Sequence, residues 1–136
     1  MNTLLLKARE VALETRAWAE WEADSADSRS EDLNGWCAIA SGELHKRLEK
    51  VGIKAEIHMA RTEECSCHVF VVVDDHVVDV TATQFHLFRG EHVLIKHQRE
   101  LDHHWFYLTE QVFKSAKELR RHQIKTDWDK AQIAYG

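Results

Sequence analysis

The chain contains no proline, only three cysteines and only five glycines among its 136 residues. Without proline, turns and helix ends must be built from Gly, Asn, Asp and Ser. Three cysteines is an odd count and does not suggest a disulfide framework, so the question becomes which cysteine reacts. No apolar run is long enough to cross a bilayer. The opening segment from Met1 to Lys7 lacks the basic region and small-residue cleavage site of a signal peptide. The expectation is a cytoplasmic protein with no membrane association. Basic residues are also short: 18 Lys and Arg stand against 23 Asp and Glu, a net charge of −5 with ten neutral histidines. That balance argues against a general nucleic-acid binder, which needs cations to neutralise phosphates. The local cluster Lys117, Arg120, Arg121 and His122 reads as a solvated helix face. Repeats, low-complexity segments and interdomain linkers are lacking, so residues 1–136 read as a single domain.

What remains is ample material for a core, since 44% of residues are hydrophobic. Leu4, Leu5, Ala8, Val11, Ala12, Thr15, Trp18 and Ala19 recur at three- and four-residue spacing and predict a helix over 4–22. Residues 23–33 are small and polar, hence a loop. A second helix is expected from Cys37 to Lys50, with Ile39, Leu44 and Leu48 on its apolar stripe and Gly52 at the position after its end. Residues 53–60 alternate and predict a strand, followed by a polar connection over 61–66. His68 to Val73 and His76 to Thr81 flank Asp74-Asp75 as a hairpin, and Val93 to His97 suggests a further strand. Tyr107 to His122 is expected to be helical, capped by Thr109. Thr126 to Asp129 resembles a capping box before a short last helix. Helix, helix, strands, helix is the order of an α+β domain rather than a βαβ wrap.

Chemistry concentrates at Cys37. A helix start exposes unpaired N–H groups and a partial positive charge, which favour a thiolate over a thiol. The same N–H groups suit an oxyanion formed when the thiolate attacks a carbonyl. Gly35 allows a sharp turn just before. A lone cysteine is more often an inert small hydrophobe, and two further residues change that balance. If the hairpin loop is even-numbered, with Asp74-Asp75 the simplest case, Val73 pairs with His76. Phe70 then faces Asp79, and His68 shares its face one diagonal step away, about 7–8 Å between Cα atoms. An odd loop would put Asp79 on the opposite face. Asp79 also interrupts the apolar run Val77-Val78-Asp79-Val80, where a buried carboxylate is costly without a partner. Histidine as proton carrier, oriented by aspartate, would activate Cys37 as a nucleophile.

Three segments carry a resemblance: Asn34-Gly35-Trp36-Cys37-Ala38-Ile39-Ala40-Ser41, Cys67-His68-Val69-Phe70-Val71 and Val78-Asp79-Val80-Thr81-Ala82-Thr83-Gln84-Phe85. They resemble, in order, the G-x-C helix start, H-V strand and D-x-T strand end of the transglutaminase-like branch of papain-fold proteins. The resemblance spans residues 30–88. It implies a papain-like core in which N-terminal helices pack on a small antiparallel sheet beside a C-terminal helix. It also implies acyl transfer through a thioester on a peptide or protein substrate, by hydrolysis, deamidation or crosslinking. By position Cys37, His68 and Asp79 inherit the triad. Trp36 and Asn34 inherit the neighbourhood of the oxyanion and substrate site, and Gln84 a supporting place. No cofactor or metal is implied; the calcium dependence of the much larger animal crosslinking enzymes is not carried over.

Two other readings compete. The same fold, catalytically idle, could serve as a binding module that grips a partner beside Trp36. Alternatively Cys65, Cys67 and His68, with His58 and His76 nearby, could bind zinc, although C-x-C on an extended segment splays its thiols and no second pair exists.

Overall fold

Helix α1 (Thr3–Ser25) begins where Asn2 accepts the Leu5 N–H at 2.9 Å, a side-chain cap on an otherwise unpaired donor. In this computed structural model residues 1–61 and 67–135 are described, with the backbone alone for 126–135. The buried stripe of α1 runs through Leu5, Ala8, Val11, Ala12, Thr15, Arg16, Ala19 and Ala23. Leu4, expected on that stripe, is exposed, and Arg16 takes a buried place instead. Helix α2 (Cys37–Lys50) ends in a Schellman arrangement: Gly52 N–H bonds Glu49 O (3.0 Å) and Ile53 N–H bonds Leu48 O (2.9 Å). Gly52 sits at φ +78°, a conformation that excludes most other residues. Leu44 and Leu48 are buried, but Ile39 is 53% exposed, because Ala40, Ser41 and Gly42 form the face that meets the sheet.

Five strands follow: β1 (Glu56–Arg61), β2 (Cys67–Val73), β3 (His76–Asp79), β4 (Leu94–His97) and β5 (Gln111–Phe113). They form one antiparallel sheet in the order β4-β3-β2-β1-β5. Asp74 and Asp75 both adopt positive φ (49° and 61°), the two-residue loop of a type I′ hairpin. Val73 accordingly pairs with His76, so the loop is even-numbered, the case that puts Asp79 on the face of His68. Val69, Val71, Val73, Ile57, Met59, Val78 and Val80 pack under α1 and α2. Phe70, Val72 and Val77 pack on the other face with Leu94, Leu101 and Tyr107. Both faces are covered, so β2 is an unbroken apolar run from Val69 to Val73 rather than alternating. The α+β class stands.

Two expectations fail after residue 100. Residues 107–122 are not one helix: Trp105–Tyr107 is a 3-10 turn, Gln111–Phe113 is β5, and α3 spans Ala116–Tyr135. Gln-Val-Phe supplies the partner for the free edge of β1, with Ile57 opposite Phe113; that edge outweighs local helical spacing. Thr109 caps nothing and instead bonds His58 Nδ1 at 2.8 Å. The helix is capped by Ser115, whose Oγ accepts the Glu118 N–H. No separate helix starts near Thr126, because α3 continues through it. Most of the expected polar connection over 61–66 lies outside the described residues. Among the described residues, no helix is long and apolar enough to cross a membrane.

Candidate active site

The approach to Cys37 is bent by residues in the left-handed region. Leu33 (φ 54°) is fully buried, and Gly35 follows at φ 86°. A branched, buried residue held at positive φ costs of order 1 kcal/mol and persists only where packing fixes it. Here packing of Leu33 into the core sets the point at which α2 begins. Asn34 is exposed; its N–H bonds Asp32 Oδ1 at 3.0 Å. Trp36 is the residue before the helix and provides no side-chain cap. Its indole donates to Ser28 Oγ (2.9 Å), which ties it back to the preceding loop. The first-turn N–H groups beside Cys37 are thus left open by Trp36, as an oxyanion site requires. Ser41 Oγ donates to Val69 O at 3.1 Å and locks α2 onto β2 one residue from His68.

On β2, His68 is 1% exposed, and its Nε2 lies 2.7 Å from Asp79 Oδ2. The hairpin register brings the two onto one face. Asp79 is likewise buried, and four donors converge on it. Its Oδ2 receives His68 and the Tyr107 hydroxyl (2.6 Å), and its Oδ1 receives Thr81 N–H (2.8 Å) and Oγ1 (3.2 Å). With Nε2 engaged by Asp79, Nδ1 is the ring nitrogen left for other partners, and the Cys37 side chain is near enough to the imidazole to favour its charged form. Gln84 Nε2 reaches the same Nδ1 at 3.2 Å and is held by Thr81 O at 3.0 Å. The edge of Phe85 closes over the imidazole at 4.8 Å between ring centres, and Phe106 stacks on Phe85.

Electrostatics follow from this packing. Burial is the largest influence on His68 and opposes its charge; the Asp79 carboxylate and the Cys37 side chain together outweigh it and raise the imidazole to about 9. Burial likewise works against the Asp79 anion, but His68, Tyr107 and the Thr81 N–H prevail, and its carboxyl is held below the usual range. Tyr107 is pushed upward by burial and by Asp79, so it remains a donor. Both shifts favour imidazolium with carboxylate for this pair.

Of the residues singled out from sequence, Cys37, His68, Asp79 and Gln84 come together. Trp36 adjoins Cys37 but turns toward Ser28, and Asn34 points to no partner in the site. The sequence pattern places Tyr107 in a helix and does not single it out; its one signal is an aromatic with a polar tip amid Trp105-Phe106-Tyr107. Replacing Tyr107 with Phe should lower stability by about 1.5–3 kcal/mol, the value of a hydrogen bond to a charged group, measured by urea unfolding.

For the zinc reading, His58 bonds Thr109 and Glu56, and His76 bonds Asp74 O and stacks edge-on with His97. Cys65 lies outside the described residues, and among those described no three His, Cys, Asp or Glu side chains cluster for a metal.

Comparison with protein-family models, curated proteins and solved structures returns no match for this chain.

Proposed function

We propose that this protein is a small cysteine enzyme that acts on an amide or other acyl bond of a peptide or protein through a thioester on Cys37. The observation that carries this reading is the relay from Cys37 to His68 to Asp79, spanning a helix start and two adjacent strands. A thiolate at Cys37 would attack the carbonyl carbon while the first-turn N–H groups of α2 donate to the developing oxyanion. His68 would give its proton to the departing amine, leaving a neutral imidazole still oriented by Asp79. Water or a second amine, deprotonated by His68, would then cleave the thioester. The transglutaminase-like, papain-fold resemblance of residues 30–88 supports the same assignment, as does the antiparallel sheet under two helices. A reduced Cys37 fits a cytoplasmic setting.

Iodoacetamide at neutral pH tests it. Cys37 should label faster than Cys65 and Cys67, and Cys37→Ala should abolish turnover of amide substrates. Equal labelling of all three, with activity intact in the variant, would sink the proposal. The pH dependence follows from His68. As pH rises through about 9 the imidazolium is lost, and with it the acid that protonates the leaving group. The value of kcat/KM should therefore fall along a limb near pH 9.

A second reading, a catalytically idle binding module, draws support from the cover that Phe85 and Phe106 place over His68. Slow labelling of Cys37 despite an intact fold would favour it.

A further inference from the structure

Beside Cys37, on the helix side of the sheet, lies a cleft of about 910 Å³ between α2 and α3. Its floor is apolar: Met59, Val69 and Leu119 are buried there, and Ile39 and Ile124 stand exposed above them. Cys37 opens into this cleft and His68 does not line it, so a chain lying in the cleft would pass over the sulfur.

The charges around the cleft run against the rest of the protein. The whole chain is acidic at −5, yet Lys46, Arg61 and Arg120 all line this cleft. Among the described residues none of these three has a carboxylate within ion-pair distance. The acidic residue of the lining, Glu43, is already engaged by Arg47 at 3.0 Å. Among the described residues, what is left open is a field of positive sign over an apolar floor.

We infer that this cleft holds an acidic peptide segment, with apolar side chains on the floor, carboxylates at Lys46, Arg61 and Arg120, and its scissile or reacting carbonyl presented to Cys37. The last element rests on the function proposed above; the binding itself does not. A cleft of this volume is at the upper end for small-molecule pockets. Its opening between two helices suits a length of chain. Complementary charge at the rim chooses among partners and speeds encounter more than it adds affinity.

The test uses the full chain carrying Cys37→Ala, so that binding is read without turnover. Two fluorescent peptides, blocked at both ends, share a central glutamine flanked by leucines; one bears glutamates outside the leucines and the other lysines. Fluorescence anisotropy should give the glutamate peptide about a tenfold lower Kd at low salt, the scale of a few exposed ion pairs. The difference should shrink in high salt. It should vanish or invert in Lys46→Glu/Arg61→Glu/Arg120→Glu, with the triple glutamine variant as a milder counterpart should charge reversal disturb folding. Equal affinity for the two peptides, binding of neither, or a preference indifferent to these substitutions would overturn the inference. Because the readout lacks the thiol, such a failure leaves the labelling result for Cys37 untouched, and a failure of labelling leaves this binding result untouched.

Discussion

Asp79→Ala should cost roughly 3–5 kcal/mol of folding stability, the usual consequence of removing one partner of a buried charge pair. The carboxylate is 1% exposed and accepts four hydrogen bonds, from His68, Tyr107 and, twice, Thr81. Alanine leaves all four donors in a space that water does not readily refill. Asp79→Asn keeps the shape but cannot accept from His68 and Tyr107 at the atom that becomes an NH₂, so it should recover only part of the loss.

The pH dependence of stability separates this account from simple loss of packing. His68 has its folded value raised above 6.5 to about 9. Its contribution is therefore complete below about 6.5 and is lost as pH rises through about 9. Asp79 is lowered from 3.8, so its contribution is present above that value and is lost as pH falls through the lower folded value. Wild-type stability should thus be greatest between about pH 4 and 6.5 and decline toward 9. In Asp79→Ala, burial is no longer outweighed by the carboxylate and favours the neutral ring, so the decline between 6.5 and 9 should disappear. Urea unfolding at several pH values measures both curves. A variant that keeps the wild-type slope would show that Asp79 does not hold the imidazolium.

The parts of the site that were readable in sequence are those fixed by local chemistry. The hairpin register follows from two aspartates that tolerate positive φ and from β-branched runs on either side. The end of α2 follows from Gly52. The juxtaposition of His68 and Asp79 is a consequence of that register and needed no tertiary information. Tyr107 is different. It reaches Asp79 only because residues 98–108 fold over the outer face of the sheet and because β5 pairs with β1, a contact between segments about fifty residues apart. Nothing near Tyr107 in the chain encodes that pairing. Ile39 misled for a related reason. Helical spacing places it near Leu44 and Leu48, yet which side of a stripe is buried depends on where the sheet lies. The small residues Ala40, Ser41 and Gly42 marked the closer approach.

Arg16→Ala should destabilise the protein by about 3 kcal/mol or more and slow the reaction of Cys37 with iodoacetamide. A charged residue inside an apolar stripe was the one visible sign of its role, and its partners lie far along the chain. The guanidinium is 3% exposed. Its Nη1 donates to Val80 O (2.9 Å) and Thr83 Oγ1 (2.6 Å), its Nη2 to Glu31 O (3.0 Å) and its Nε to Glu20 (2.7 Å). Val80 follows Asp79, Thr83 precedes Gln84, and Glu31 lies on the loop that leads to Cys37. Thr83 adds a bond to Asp32 O at 3.1 Å, so the same segments are joined twice. One side chain therefore fixes the span between the nucleophile's approach and the strand end that carries the carboxylate. Removing it leaves buried carbonyls without donors, each worth about 1–3 kcal/mol. Lysine offers a single ammonium without the planar fork and cannot serve the three carbonyl and hydroxyl oxygens in this geometry, so Arg16→Lys should rescue little. The labelling rate of Cys37 relative to Cys67, measured well below the melting temperature, separates positioning from stability. A clamp predicts that the ratio falls in a variant that is still folded. If Arg16→Lys retains both the wild-type melting temperature and the wild-type ratio, the distance between Cys37 and His68 is set elsewhere, by the Ser41 bond to β2 and the packing of Leu33.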